Sequence, residues 1–265
     1  MTSAADFTLL PGEISPELHN ELGVEEGNKN VRYRRFHVKE TQNYLDFLRP
    51  KVKDISQFWL IVLMSHQTIA PHLSSKLDQH ALSFLEDIEL KQDVNDFRPY
   101  ELVFHFKENP YFTNKTLSKK YSLQSGLTPV TDDSVTEDLR KFEGDEQLEA
   151  GTTTIDWKSD EVNLCAKMPR GNQVQGGEAD DLDGFEGDPG SFFLFFQEKG
   201  DLFKLGEDFK DDILPDAFAY FEGRGDNGFG DDSEDDELDE EDDDDEEEID
   251  LENEIPKKKR KVGGK

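Results

Sequence analysis

The sequence has one cysteine, Cys165, in 265 residues, so no disulfide can form within the chain, and a reducing compartment is expected. No window approaches 18 apolar residues, and the opening MTSAADFTLLPGEIS has neither a basic start nor a long apolar stretch. The expectation is therefore a soluble, intracellular protein with no membrane partner. Catalytic signatures are missing as well. There is no G-x-S-x-G, P-loop or kinase motif, the six histidines have no H-E-x-x-H spacing, and a lone cysteine cannot build a thiolate cluster. GRGDNG at Gly223–Gly228 formally fits G-x-G-x-x-G, but an acidic run follows where a phosphate-binding helix should open. Arg224-Gly225-Asp226 and the sequon at Asn114 would both need an extracellular setting. No metal, no cofactor and no catalysed reaction are expected.

Positive charge is also scarce. The chain carries 30 Lys and Arg against 62 Asp and Glu, a formal net charge of -32. Residues 226–265 contain 20 acids and 6 bases, which leaves 42 against 24 in the first 225 residues, so the body is acidic on its own. Such a chain repels nucleic acid at long range and attracts cationic partners, with a force that salt weakens.

Two extreme runs stand near the end. Seventeen of the twenty residues from Asp231 to Asp250 are carboxylates, unbroken from Asp239 through Glu240, Glu241, Asp242, Asp243, Asp244, Asp245, Glu246 and Glu247 to Glu248. Then comes PKKKRKV: Pro256, Lys257, Lys258, Lys259, Arg260, Lys261 and Val262. Of the 28 aromatic residues, 26 lie between Tyr33 and Phe221. The acidic run therefore has too little apolar surface to offset its ordering entropy, and residues 223–255 are expected to form a disordered tail. The lysine run at 256–265 has the form of a nuclear import signal, native to the protein or appended to it, with importin alpha as its receptor, and a nuclear protein that shuttles with the cytoplasm is expected.

Periodicity organises the rest. Pro11, Gly12, Pro16, Gly23 and Gly27 suggest an irregular arm over 1–30. Val31, Val38 and Leu45 stand seven apart with Leu48 following, which predicts a short helix and connector over 31–53. Asp54 and Gln57 have capping-box spacing ahead of the apolar run FWLIVLM, and Pro71 divides that helix from LDQHALSFL. From Leu85 the period changes towards two in EDIELKQDV, RPYELVFHFKEN, NKTLSKKYSLQ and TTTIDWK, an antiparallel meander turning at ENPYFTN. An acid- and glycine-rich insertion then precedes SFFLFF and LGEDFKDDILPDAFAYF, which are read as helices covering the sheet. Helices, strands, helices is an α+β order.

The stretches ISQFWLIVLMSH, FHFKENPYFTNKTLSKKYSL, TTTIDWKSD, SFFLFF and LGEDFKDDILPDAFAYF, with the terminal acidic tract, appear in the order they take in the SET and nucleosome assembly protein family of histone chaperones. The chain resembles that family over roughly residues 44–250, and its motifs lie nearest the SET branch. The resemblance implies a dimerisation helix, here shortened, followed over 54–222 by an earmuff domain. In that domain a four-stranded antiparallel sheet is backed by helices, and an acidic surface receives core histones. It also implies a homodimer, shielding of histones from DNA, and support for nucleosome assembly and disassembly. The alternative it implies is a regulatory inhibitor of a protein phosphatase or of histone acetylation.

The SET branch uses threonine, threonine and aspartate in histone binding where this chain has Leu194, Gln197 and Glu198. Glu198 alone keeps the chemistry, and Asp201, Glu207, Asp208, Asp211 and Asp212 are the neighbouring acceptors available to lysine and arginine. Each is also the residue type that keeps a helix surface soluble. Residues 170–190, basic in the SET branch, here hold Arg170 and six acids, so direct DNA binding is expected to be weak.

Overall fold

In the computed structural model, residues 12–171 and 188–225 are described. The first element is a helix, α1 (Pro16–Val52), of 37 residues. Residues 16–30, read above as irregular, belong to it. Ser15 caps it by accepting from the Leu18 amide at 3.2 Å, and Pro16 occupies the first turn, where no amide hydrogen is missed. Gly27 marks a close approach: a Cβ there would lie 2.9 Å from Arg140 Cδ. Val31, Val38, Leu45 and Leu48, the positions read from sequence, form the buried face of α1 together with Thr41 and Val52. The helix begins 15 residues ahead of the stretch expected for it.

The chain then enters α2 (Phe58–Ser65) through Gln57, whose φ of 59° is left-handed. No side chain caps this helix, so the expected Asp54 capping box is not formed. Burial of Phe58, Trp59, Leu60, Val62 and Leu63 holds α2 in place of a cap. Pro71 sits in a single 3-10 turn, and Ser75 caps α3 (Lys76–Leu82).

Four strands form one antiparallel sheet in the order β1 (Leu85–Gln92), β2 (Tyr100–Phe106), β3 (Thr116–Leu123), β4 (Leu148–Ala150). The register places Ile88 opposite Phe104 and Tyr100 opposite Tyr121. Asn109 makes the expected turn by accepting from the amides of Tyr111 and Phe112, both at 3.0 Å. The fourth strand is not TTTIDWK. That segment is extended but gives its hydrogen bonds to scattered partners: Thr153 N to Phe196 O, Asp156 N to Asn114 Oδ1, and Lys158 N to Tyr111 O. Its one bridge joins Trp157 to Phe112.

Leu102, Phe104 and Phe106 point from β2 to one face, as the alternation predicted, and Phe104 is wholly buried. Its ring meets Phe192, Phe195, Phe196 and Phe209 at centroid distances of 5.0 to 6.4 Å. After the short helices α4 (Glu137–Arg140) and α5 (Leu164–Lys167), SFFLFF is thus core, with α6 (Leu194–Gln197) at its centre. Lys119 of β3, also wholly buried, donates to the carbonyls of Glu198 and Gly200 at 2.8 and 2.7 Å and fixes the loop that leaves α6.

Candidate functional site

Asp201 follows that loop. Its carboxylate accepts from the Leu205 amide at 3.2 Å, the Gly206 amide at 2.7 Å and the Tyr121 hydroxyl at 2.5 Å. It therefore moors the start of α7 (Leu205–Asp208) to β3. Gly206 is required by this approach, because a Cβ would stand 2.0 Å from Tyr121 Oη. The stacked Tyr100 ring, centroid 4.3 Å from that of Tyr121, donates its hydroxyl to Asp145. Burial raises both phenols beyond their ordinary range.

From Phe209 to Ile213 the helix widens into one π turn, with Leu214 N bonded to Phe209 O at 3.1 Å. Phe209, Ile213 and Leu214 all reach the core, and Lys210 is turned inward as well. Its ammonium lies 2.9 Å from Asp145 and 3.3 Å from Asp211, above the Tyr100 ring. Carboxylates are left on the outer side, and α8 (Ala217–Phe221) closes the segment against α2.

The six folded candidates divide. Glu198 pairs with Arg170 at 2.6 Å, Asp201 moors α7, and Asp212 accepts from Tyr220 at 2.7 Å and meets His66 at 3.0 Å. The side chains of Glu207 and Asp208 form no hydrogen bond or ion pair among the described residues, and the Asp211 side chain is half exposed. Burial pushes the Asp208 carboxyl up to about 6, His66 opposes the shift, and Asp212, Asp201 and Glu207 add to it. Burial raises Glu207 as well, with Asp145 next. It also raises Asp211, against the pull of Lys210.

Sequence reasoning missed three participants. Asp145 holds Lys210 and Tyr100, Asp216 carries a carboxyl raised chiefly by burial, and Glu143 borders Glu207 across a cleft. The acid-rich EGDE at 143–146 was the available signal. Asp239–Glu248 and Pro256–Val262 lie outside the described residues, as does most of the acidic insertion. Among the described residues no group of three His, Cys, Asp or Glu could hold a metal, and no helix is long and apolar enough to cross a membrane.

A family profile described as nucleosome assembly protein matches residues 11–224. Human nucleosome assembly protein 1-like 4 is 30% identical over 193 residues, covering 66% of this chain and 49% of that protein. Mouse nucleosome assembly protein 1-like 2 is 32% identical over 183 residues, covering 64% of this chain and 38% of that protein. The matched region thus spans half or less of these relatives' length. Among solved structures, Ccp1 superposes with a TM-score of 0.54 at 19% identity, covering 78% of this chain and 94% of that one. A nucleosome assembly protein from Plasmodium falciparum gives 0.52 at 19% identity, covering 78% and 91%. The Vps75 histone chaperone gives 0.51 at 15% identity, covering 79% and 97%. The fold is theirs, and the match over most of the sequence makes this chain a member of the nucleosome assembly protein family.

Proposed function

We propose that this chain is a nuclear histone chaperone, not an enzyme, that neutralises core histones with its folded acidic face and its acidic tract and so keeps them from premature contact with DNA. The observation that carries this reading is α7 and the π turn that follows it, where buried apolar residues fix the backbone while the carboxylates of Glu207, Asp208 and Asp211 outnumber the cations beside them. Carboxylates set on a rigid element can form charge-assisted hydrogen bonds to lysine and arginine at little ordering cost. DNA, a denser polyanion, would take the histones from it. The test is a titration with folded core-histone pairs, followed by competition with duplex DNA. Binding that DNA reverses is expected, and failure to bind either histone pair overturns the reading.

The run Lys257–Lys261 supports nuclear entry through importin alpha. Alanines there should leave a fluorescent fusion mainly cytoplasmic with histone binding intact, whereas unchanged nuclear accumulation removes the signal from the account. Homodimerisation rests on α1. Leu18, Leu22, Tyr33, Phe36 and Phe47 are exposed at spacings of 4, 11, 3 and 11, which place them on one stripe opposite the buried face. A second copy of α1 would cover that stripe. Sedimentation should give a dimer for the chain and a monomer for Leu22→Asp with Phe36→Asp; equal masses for the two contradict it.

A further inference from the structure

A cleft of about 270 Å3 opens between α1, the loop at 142–144 and the π turn. Two cations stand in its wall, and both are engaged. Arg34 lies 5.5 Å and 5.6 Å from the ring centres of Phe97 and Phe142 and donates to the Phe142 carbonyl at 2.9 Å. Lys210 is held by Asp145 and Asp211. Facing them are Glu143, Glu207 and Asp211, with Asp145 behind Lys210, so acids outnumber cations. His37 also faces the cleft from α1 and draws on Asp211. Tyr33 stands at the rim, 70% exposed.

We propose that this cleft receives one lysine or arginine side chain of a basic polypeptide, its charged head among Glu143, Glu207 and Asp211 and its methylene stem against Tyr33 and Phe142. The proposal rests on the histone-chaperone reading and gives it a discrete contact. Two observations favour this occupant. The aromatic walls already hold a guanidinium from the chain itself, which is the geometry of cation–π recognition. The carboxyls of Glu207 and Asp211 are raised chiefly by burial, so an incoming cation would favour their charged forms.

The test uses the full chain at elevated salt, where diffuse attraction is screened. Glu207→Gln with Asp211→Asn is compared with Asp138→Asn with Glu149→Gln, an equal charge change at exposed sites outside the cleft lining. The cleft pair should weaken binding of a core-histone pair by about tenfold or more, the order expected when the partner of a half-buried cation is removed. The control pair should change it less than twofold, the small effect of exposed charges. Equal losses in the two variants overturn the proposal, since net charge alone would then account for both.

A second titration, with N-acetyl-lysine methylamide followed by the ring-proton shifts of Tyr33 and Phe142, reads the cleft independently of the histone. Shifts in the wild type that vanish in the cleft variant support the site, and their absence in the wild type overturns it. If the wild type binds no histone yet shows these shifts, the chaperone reading fails while the cation site stands. If removing residues 256–265 by itself strengthens the lysine-analogue response, the chain's own lysine run occupies the cleft and the proposed partner is wrong.

Discussion

Asp201 and Asp208 stand seven residues apart on the same acidic segment and have opposite fates. Asp201 accepts three hydrogen bonds and ties α7 to the sheet, whereas Asp208 accepts none among the described residues and burial drives its carboxyl up to about 6. The same contrast separates Asp212, bonded to Tyr220 and His66, from Asp211, which is half exposed beside Lys210. Counting carboxylates therefore overstates the charge a partner can use. Some of it fixes the fold, and in this segment the rest stands on α7 and the π turn.

The largest effect should come from Gly206→Ala. A Cβ at 2.0 Å from Tyr121 Oη must displace the stacked tyrosines or break the Asp201 mooring, an overpacking defect of about 1–3 kcal/mol or more. Chemical denaturation reads it, and an unchanged midpoint would mean that the mooring is slack. Asp201→Ala comes next. It leaves the Tyr121 hydroxyl and the Gly206 amide without their acceptor, which costs about 1–3 kcal/mol. Histone affinity per folded molecule should stay near that of the wild type, and a large loss of affinity without loss of stability would place Asp201 on the binding side of the comparison.

A smaller effect concerns pH. The folded Asp208 carboxyl titrates near 6, above its ordinary 3.8. Between those values the folded state holds a proton that the unfolded state lacks, so this group's contribution to stability rises as pH falls through 6 and is complete below about 4. Asp78, buried against Ser191 and Phe192 and also near 6, acts in the same direction. Asp208→Asn should therefore be more stable than the wild type at pH 7, and the gap should narrow by pH 5. Histone affinity should fall over the same interval as the carboxylate is lost. A gap that widens on acidification contradicts the burial argument.

Much of this was legible in the sequence where one period dominated. Leu102, Phe104 and Phe106 alternate cleanly, and Val31, Val38 and Leu45 mark the buried face of α1. The start of α1 was hidden because Pro16, Gly23 and Gly27 read as breakers. Pro16 is harmless in a first turn, and Gly27 is there for the approach of Arg140. TTTIDWK has strand composition, but its hydrogen bonds go to α6 and the ENPYF turn, a tertiary choice that local pattern does not carry. The run of carboxylates in LGEDFKDDI, on α7 and the π turn, was legible. The division between moored and available carboxylates was not, because it depends on Tyr121, Tyr220 and His66, 146 residues from Asp212 in the last case.

We propose that a folded acidic face, and not net charge alone, binds the histone. It is tested most directly by the affinity of one core-histone pair across a salt series for three proteins: the wild type, a deletion of residues 226–255, and Glu207→Gln with Asp208→Asn and Asp211→Asn. The deletion removes 20 carboxylates and no base, so its loss should be greatest at low salt and fade as the Debye length shrinks to about 8 Å near physiological ionic strength. The face variant, three charges poorer, should keep its loss at high salt. A face variant that binds like the wild type at every salt concentration would contradict the account.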